Sequence, residues 1–289
     1  MVDCIIVGNG PAGISAALTL KANGIDFLLF GGASISEKVV KAEKICNYPG
    51  LIGVTGKEFG DALASQLQSE GINVIAEKVV GVYAMKDKFI LSTAGGKMYE
   101  SKAVVMATGV ENIKPIEGEE EFLGRGVSYC ATCDGMLYKG KTIAVMCTTK
   151  ALEHEVEYLA NLAAKVYFIP LYKGEAIDAE NVEKIIKKPL RVEGGMKVNA
   201  VVFSGENGEK KVAIDGMFFL KDCVSPSALC GGLAAENGHI LVQRDMSTNL
   251  KGLFAAGDCT GRPYQYAKAV GEGNVAAHSV VEYLAKLEK

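Results

Sequence analysis

The chain has 289 residues, of which 49% are hydrophobic and 22% charged, and its net charge is −3. That length suffices for two domains with separate cores, and the near-neutral charge gives no support to binding of nucleic acid or of an anionic membrane surface. No apolar run approaches the roughly 20 residues of a membrane span. Asp3 and Gly8 interrupt an amino terminus that would otherwise resemble a signal peptide.

The eight cysteines are too sparse for a secreted disulfide scaffold, so we expect a protein of the reducing cytoplasm. Only Cys130 and Cys133 are closely spaced. The others are interpreted as small buried hydrophobic side chains; they are Cys4, Cys46, Cys147, Cys223, Cys230 and Cys259. Because neither a second Cys-x-x-Cys pair nor a histidine cluster accompanies the close pair, the sequence predicts no metal site.

The chain opens with a predicted β-α-β unit. Residues 3–7 predict a buried strand, a glycine-rich loop follows at residues 8–13, and a helix then extends to residues 23–24. Pro11 suits the first helical position because its missing N–H would be unpaired there anyway. The next strand is predicted at residues 26–30. A glycine-rich loop between strand and helix is the context in which dinucleotides bind.

The loop reads Gly8-Asn9-Gly10-Pro11-Ala12-Gly13. Gly8 permits the tight turn, Gly10 lets backbone N–H groups approach a pyrophosphate, and Gly13 allows close helix–strand packing. The amino terminus of the helix adds positive potential. The acidic residue expected at the end of the second strand is missing, and Phe30-Gly31-Gly32-Ala33-Ser34 stands there. We therefore expect Ser34 or the backbone to hold the ribose.

The rest of the chain completes this first part and then repeats the β-α-β pattern. The first part continues with a helix at residues 57–69, meander strands at 79–83, 89–92 and 97–99, and a strand at 103–106. A second β-α-β unit is predicted as strand 142–146, amphipathic helix 150–163 and strand 166–169, followed by meander strands at 197–204 and 211–214. A glycine-rich motif at residues 252–258 and a helix from 266 to 286 end the chain.

This pattern predicts an α/β protein with two Rossmann-like (three-layer β/β/α) nucleotide-binding domains, the second inserted into the first. The first domain would comprise residues 1–112 and 222–289, and the inserted domain residues 113–221. Gly257 and Asp258 follow a short apolar strand of the first domain. A carboxylate there can accept hydrogen bonds from the hydroxyls of a flavin's ribityl chain, and the glycine lets the cofactor lie against the backbone.

The segment Cys130-Ala131-Thr132-Cys133-Asp134-Gly135 is a compact two-electron switch. The two-residue spacing lets both sulfurs meet at the start of a helix, whose dipole and unpaired N–H groups favour the thiolate. Combined with a dinucleotide fold, the pair indicates a protein that passes electrons between a bound cofactor and a dithiol.

Together these motifs resemble the low-molecular-weight thioredoxin reductases. They occur in that family's order and nearly its spacing, over essentially the whole chain: residues 8–13, Asn47-Tyr48-Pro49-Gly50, Ala107-Thr108-Gly109, Gly124-Arg125-Gly126-Val127, 130–135 and 254–258. The resemblance implies a homodimer with FAD in the discontinuous domain and the redox cysteines on the inserted one.

The resemblance also implies roles for individual residues. Cys133 would face the flavin, Cys130 would attack thioredoxin, and Asp134 would donate or accept a proton. The implied FAD-binding residues are Gly8, Gly10, Pro11, Ala12, Gly13, Ser34, Asn47, Thr108, Gly109, Gly257, Asp258, Tyr266 and Ala267. One dithiol must meet both the flavin and a protein disulfide, so rotation of the inserted domain about residues 111–114 and 221–224 is a hypothesis.

The inserted domain departs from the family's pattern. Members that use NADPH carry a glycine-rich loop after its first strand and a basic cluster after its second. Here Cys147-Thr148-Thr149-Lys150-Ala151 and Ile169-Pro170-Leu171-Tyr172-Lys173 stand in those places. β-Branched residues fill the phosphate space and stiffen the turn, and Lys173 replaces a guanidinium fork poorly. We therefore do not expect NADPH to bind.

Electrons must then reach FAD from another carrier. The leading hypothesis is a flavoprotein disulfide reductase that reduces thioredoxin and takes single electrons from ferredoxin. A deazaflavin- or NADPH-linked thioredoxin reductase remains an alternative, as does a flavin-dependent dithiol oxidase that uses oxygen. A non-enzymatic redox sensor is the fourth possibility, although the intact Cys-x-x-Cys-Asp-Gly segment argues against it.

Overall fold

The computed structural model describes residues 1–40, 42–110, 115–173, 177, 179–205, 208–221 and 226–287. The chain divides into two units. Unit 1 combines residues 1–110 and 225–289, and unit 2 consists of residues 111–224. The connecting segments expected at residues 111–114 and 221–224 lie outside the described residues, except for Lys221.

Unit 1 is built on a mainly parallel sheet flanked by helices. Its strands are β1 (Val2–Val7), β2 (Phe27–Phe30), β3 (Val74–Ile75), β4 (Val79–Ala84), β5 (Phe89–Thr93) and β6 (Met98–Met106). Its first helices are α1 (Pro11–Ala22), α2 (Glu37–Val40) and α3 (Gly56–Ser69).

Unit 2 has its own parallel sheet. The strands of unit 2, which belong to this sheet and to a smaller antiparallel one, are β7 (Val127–Ser128), β8 (Thr142–Cys147), β9 (Lys165–Pro170), β10 (Val182–Lys184), β11 (Arg191–Gly194), β12 (Val198–Gly205), β13 (Gly208–Ala213) and β14 (Gly216–Leu220). Its helices are α4 (Ala131–Asp134) and α5 (Glu153–Leu162), with 3₁₀ turns at Gly135–Tyr138 and Lys150–Leu152.

The chain then returns to unit 1. The elements there are α6 (Pro226–Leu229), β15 (Ala235–Glu236), β16 (His239–Ile240), β17 (Leu253–Ala255), a 3₁₀ turn at Asp258–Thr260 and α7 (Tyr266–Leu287). The sheet order is β3-β2-β1-β6-β5-β4, and β17 pairs in parallel with the carboxyl half of β6. The carboxyl ends of β1, β6 and β17 thus lie at one edge, where ligands of such sheets bind.

Strand β1 forms because Cys4, Ile5, Ile6 and Val7 are a continuous apolar run, all buried, as expected for a strand covered on both faces. Helix α3 begins at a capping box, in which Thr55 Oγ1 accepts the Glu58 N–H and Glu58 in turn accepts the Thr55 N–H. The predicted helix at residues 57–69 is therefore confirmed, with its start at Gly56.

The last helix packs directly on the first. A Cβ on Gly273 would lie 2.1 Å from the carbonyl oxygen of Ala12, so only glycine permits this approach. Ser15 Oγ donates to the carbonyl of Val270 at 2.7 Å. The buried face of α7 recurs at helical spacing: Ala269, Gly273, Ala276, Ala277, Val280 and Leu284.

The unit 2 sheet has the order β10-β9-β8-β14-β7, with parallel pairing throughout, and β11-β12-β13 form a separate antiparallel sheet. Strands β11 and β14 were not predicted. The predicted helix at residues 150–163 was too long, because residues 150–152 form a 3₁₀ turn and α5 begins only at Glu153. The predicted strands at 97–99 and 103–106 are one strand, β6.

Each unit therefore has a parallel sheet with helices and an antiparallel meander, and the α/β class with two Rossmann-like folds is confirmed. None of the helices in the described part of the chain has the length and apolar composition of a membrane span.

Candidate functional site

The glycine loop of unit 1 connects β1 to α1. Gly8 has φ +117°, and a Cβ there would lie 2.2 Å from the carbonyl oxygen of Ala107. A Cβ on Gly13 would lie 1.8 Å from the carbonyl oxygen of Gly8, so both glycines are required by backbone packing. Gly10 differs, since a Cβ there would meet nothing within 4 Å. Gly10 therefore leaves open backbone where a pyrophosphate could approach.

The amino terminus of α1 suits an anion. Pro11 occupies the first turn, and no side chain among the described residues caps this end of the helix. The first turn holds no acidic residue. Its backbone N–H groups, including that of Ala12, add to the positive end of the helix dipole. The residues present here fit a bound dinucleotide phosphate.

Asn9 fixes the loop that follows β2. Its Nδ2 donates to the carbonyl oxygens of Gly32 at 2.9 Å and Ser34 at 3.1 Å, and its Oδ1 accepts the Gly32 N–H at 3.2 Å. Asn9 is buried, whereas Ser34 is exposed. The structure thus brings Ser34 next to the glycine loop. Sequence reasoning missed Asn9, although an amide side chain between Gly8 and Gly10 was a visible signal.

The third part of the site follows β17. A Cβ on Gly257 would lie 2.8 Å from Ala12 Cβ, which places this turn against the start of α1. Glu272 Oε2 accepts the Gly257 N–H at 2.9 Å, and Lys268 Nζ donates to the Gly257 carbonyl at 2.7 Å. Lys268 and Glu272 also pair at 3.1 Å. Two residues of α7 therefore fix the backbone that carries Asp258.

Lys268 of this ion pair also contacts the residues that follow Asp258. Lys268 Nζ donates to the Gly261 carbonyl at 2.8 Å and contacts Thr260 Oγ1 at 2.8 Å. Thr260 Oγ1 donates to the Gly257 carbonyl at 2.7 Å. Burial, and secondarily the negative charge of Asp258, raise the pKa of the Tyr266 phenol, so these two predicted residues lie close together.

The other predicted cofactor residues also belong to unit 1. Asn47 Nδ2 donates to Gln265 Oε1 at 2.6 Å, and Gln265 directly precedes Tyr266 and Ala267 at the start of α7. Thr108 and Gly109 follow β6, beside the Gly8 turn, and Gly109 has φ +70°.

In unit 2, Cys130 and Cys133 form a disulfide with a Cα–Cα distance of 5.4 Å. Cys130 is the N-cap of α4, and its Sγ accepts the Cys133 N–H at 3.2 Å. Ser128 Oγ accepts the Cys130 N–H at 3.1 Å, which fixes the backbone on the other side. After reduction a Cys130 thiolate would gain stability from the same Cys133 N–H donor.

The two sulfurs differ in exposure. Cys130 is 7% exposed, whereas Cys133 is exposed. Asp134 is half-buried at the end of α4. Burial, followed by the charges of Asp134 and Asp215, raises the pKa of the Tyr138 phenol, so a carboxylate and a protonated phenol accompany the dithiol.

An apolar surface adjoins this pair. Met136 is 59% and Leu137 66% exposed, directly after the Cys-x-x-Cys segment. A groove of about 400 Å³ lies beside them, lined by Gly124, Arg125, Gly126, Leu137, Tyr138, Lys141, Met196, Lys197 and Asp215. Among the described residues, no group of three or more metal-binding side chains is arranged to hold a metal ion.

Unit 2 also has a position equivalent to the nucleotide loop of unit 1, between β8 and α5. Cys147 Sγ donates to the Thr149 carbonyl at 3.2 Å, and burial raises the pKa of this thiol. Tyr172, after β9, donates its hydroxyl hydrogen to Glu153 Oε1 at 2.8 Å. Glu153 and Glu155 lie in the first turn of α5. Two carboxylates therefore stand where a phosphate would need positive potential.

Comparison with known proteins identifies the family of this chain. The profile of the pyridine nucleotide-disulphide oxidoreductase family matches residues 2–155 and 175–273. A thioredoxin reductase from Listeria innocua is 31% identical over 99% of this chain and 95% of its own length. A thioredoxin reductase from Helicobacter pylori is 33% identical over 98% of this chain and 99% of its own length.

Among solved structures, a ferredoxin-flavin thioredoxin reductase from Clostridium acetobutylicum matches with a TM-score of 0.90 and 45% identity, covering 99% of this chain and 98% of that one. The chain therefore belongs to the pyridine nucleotide-disulphide oxidoreductase family, among its thioredoxin reductases.

Proposed function

We propose that this chain reduces thioredoxin through the Cys130–Cys133 dithiol, with electrons that reach FAD from ferredoxin rather than NADPH. The observation that carries the proposal is the contrast between the two loops. The loop of unit 1 has open backbone at Gly10, and the first turn of its helix holds no acidic residue. The equivalent place in unit 2 carries Glu153, Glu155 and the Tyr172 bond.

The proposed FAD domain comprises residues 1–112 and 222–289. The pyrophosphate would lie on Gly10, Ala12 and the N-terminus of α1, because these offer N–H donors and no negative charge. Asp258 would accept hydrogen bonds from the ribityl hydroxyls, held by the Lys268–Glu272 pair. Bound there, FAD would supply a ring able to take up single electrons and deliver a pair.

The proposed inserted domain, residues 113–221, carries the Cys130–Cys133 disulfide. In the proposed exchange, two electrons and two protons convert this disulfide into two thiols. The Cys130 thiolate attacks a thioredoxin disulfide and forms a mixed disulfide, and one thioredoxin sulfur leaves as thiolate. Cys133 then attacks the Cys130 sulfur, restoring the intramolecular disulfide and releasing reduced thioredoxin. Asp134 would take up the proton that the thiol releases and return it during the exchange.

The burial of Cys130 constrains this assignment. Exchange with a protein disulfide needs an accessible sulfur, yet Cys130 is 7% exposed. The proposed attack therefore requires a rearrangement that exposes this side chain. The exposed Met136 and Leu137 would then offer apolar contact to thioredoxin.

Charge and packing both oppose the binding of NADPH in unit 2. A pyrophosphate at the first turn of α5 would be opposed by the negative charges of Glu153 and Glu155. Thr148 and Thr149 replace the glycines that would let it approach. The similarity to a protein named ferredoxin-flavin thioredoxin reductase supports ferredoxin as the donor.

The test is an anaerobic assay of thioredoxin reduction by the flavin-loaded protein, with reduced ferredoxin, reduced deazaflavin or NADPH supplied in turn. We expect turnover with ferredoxin and none with NADPH. Efficient turnover with NADPH would refute the donor assignment, and oxygen uptake with a small dithiol would indicate an oxidase. The mass of the flavin-loaded protein in solution tests the proposed homodimer.

A further inference from the structure

Unit 2 buries an ion pair that the exchange chemistry above does not use. Lys221 Nζ donates to Glu119 Oε1, and these side chains are 2% and 0% exposed. Removing two charges from water is costly, and well-packed apolar residues often replace such a pair without loss of stability. Stabilisation of the fold alone therefore does not account for this pair.

The pair is connected to the redox cysteine through Tyr129. The Tyr129 hydroxyl donates to the same Glu119 Oε1 at 2.8 Å. Lys221 Nζ lies 5.6 Å from the centre of the Tyr129 ring and 5.3 Å from that of Phe219. Tyr129 is buried and directly precedes Cys130 in the chain.

The pair also joins the two ends of unit 2. Glu119 lies on the segment by which the chain enters the unit, and its Oε2 accepts the Ile116 N–H at 3.0 Å. Lys221 directly follows β14, the last strand before the chain leaves. Strand β14 pairs with β7, which leads to Tyr129 and Cys130. Both ends are thus fixed to the backbone that carries the attacking sulfur.

We propose that Glu119 and Lys221 are positioning residues for Cys130: their buried pair holds Tyr129 and keeps the net charge beside the redox cysteine at zero. This inference rests on the proposed redox role of Cys130. With both charges present their fields largely cancel. With one removed, the other acts on the Cys130 thiolate through the protein interior, where screening by salt is weak.

The sign of the effect distinguishes this role from a merely structural one. Lys221→Met leaves a buried carboxyl group that disfavours the thiolate while it is ionised, whereas Glu119→Gln leaves a buried amine that favours the thiolate while it is protonated. A packing defect would change the reactivity of Cys130 in the same direction in both variants. Asp134, the charged residue on α4, is unchanged throughout.

The experiment measures the rate of iodoacetamide alkylation at Cys130 at pH 7, on the flavin-loaded and anaerobically reduced protein, with the modified peptide identified by mass spectrometry. We expect Lys221→Met to slow alkylation about threefold or more and Glu119→Gln to accelerate it by a similar factor, from one charge at an effective dielectric near 20. The double variant should return to the parent rate, and Lys221→Arg should retain it.

Lys165→Met is the matched control, because it breaks an exposed pair with Glu183 in the same unit and should leave the rate unchanged. Equal rates in the parent and both single variants, or changes of the same sign, would overturn the proposal. If Lys221→Met does not fold, reversal of the Glu119→Gln effect in the double variant supports the proposal, and its persistence overturns it. Failure of ferredoxin or thioredoxin to react with the parent would refute the proposed function without affecting this readout.

Discussion

Tyr172 and Glu153 are joined by a hydrogen bond of 2.8 Å that links the segment after β9 to the first turn of α5. We expect Tyr172→Phe to lower the free energy of unfolding by about 1 kcal/mol, because the half-buried carboxylate loses a donor. NADPH should still not bind, since both carboxylates remain in that turn. Urea unfolding followed by circular dichroism and titration with NADPH provide the two measurements. The exposed Tyr83→Phe is the control, and NADPH binding by Tyr172→Phe would show that the hydroxyl alone closes the site.

The loop glycines should separate folding from flavin binding. Gly10→Ala meets open space, so we expect the apoprotein to unfold at the parent's urea concentration but to retain much less FAD. Gly8→Ala should instead impair folding, because φ is +117° and the Cβ would meet a carbonyl at 2.2 Å. Gly195→Ala, also in open space, should change neither property. Normal flavin content in Gly10→Ala would place the pyrophosphate elsewhere.

The two sulfurs should be distinguishable by trapping. With Cys133→Ser, the remaining Cys130 thiolate should form a stable mixed disulfide with thioredoxin, because the resolving thiol is gone. Cys130→Ser should give little of this adduct. Both variants should lose thioredoxin reduction by about a thousandfold or more, in line with the loss of an essential nucleophile. Non-reducing electrophoresis measures the adduct, and stronger trapping by Cys130→Ser would assign the attack to the exposed Cys133.

The ion pair of α7 should control retention of the flavin. Lys268→Met removes the donor to the carbonyls of Gly257 and Gly261 and leaves Glu272 without its cation. We expect faster release of FAD, by about tenfold for a loss of roughly 1.4 kcal/mol in binding. Dilution of the flavin-loaded protein, with the recovery of free-flavin fluorescence, measures this rate. Lys57→Met, which breaks the exposed pair with Asp61, is the control and should leave release unchanged.

Buried thiols should make stability fall at alkaline pH. Burial raises the pKa of Cys4, Cys147 and Cys230, so these groups stay protonated in the folded protein. In the unfolded chain thiols ionise near pH 8.5, so the unfolded state is stabilised relative to the folded state as pH rises beyond that value. The difference in urea midpoint between the parent and Cys147→Ala should therefore shrink from pH 7 to pH 10. Cys46 was expected to be buried, but it is exposed, so Cys46→Ala should show no such trend.

The sequence predicted the parts of the fold that are local. The β1–loop–α1 unit and the Cys-x-x-Cys segment are short continuous patterns, and both form where expected. Strand β14 was missed because it is apolar throughout and shows no alternation. Strand β11 does alternate, with only Val192 buried, but four residues are too few for a clear signal.

The site partners that were missed are distant in sequence. Asn9 bonds to Gly32 and Ser34, and Glu119 bonds to a lysine 102 residues away. Such pairs depend on how strands return to a common sheet edge, and a single sequence gives no sign of that pairing. The start of α5 was misplaced for a related reason, since residues 150–152 have helical composition but form a tighter turn.

The packing of α7 on α1 bears on the order in which the chain acquires its structure. The nascent polypeptide presents Ser15 early, but its partner Val270 leaves the ribosome 255 residues later, and Gly273, the partner of Ala12, follows it. Residues 111–224, by contrast, are contiguous and can fold as soon as they emerge. During synthesis the dithiol-bearing unit can therefore be completed first, and the glycine loop lacks its covering helix until α7 has been synthesised.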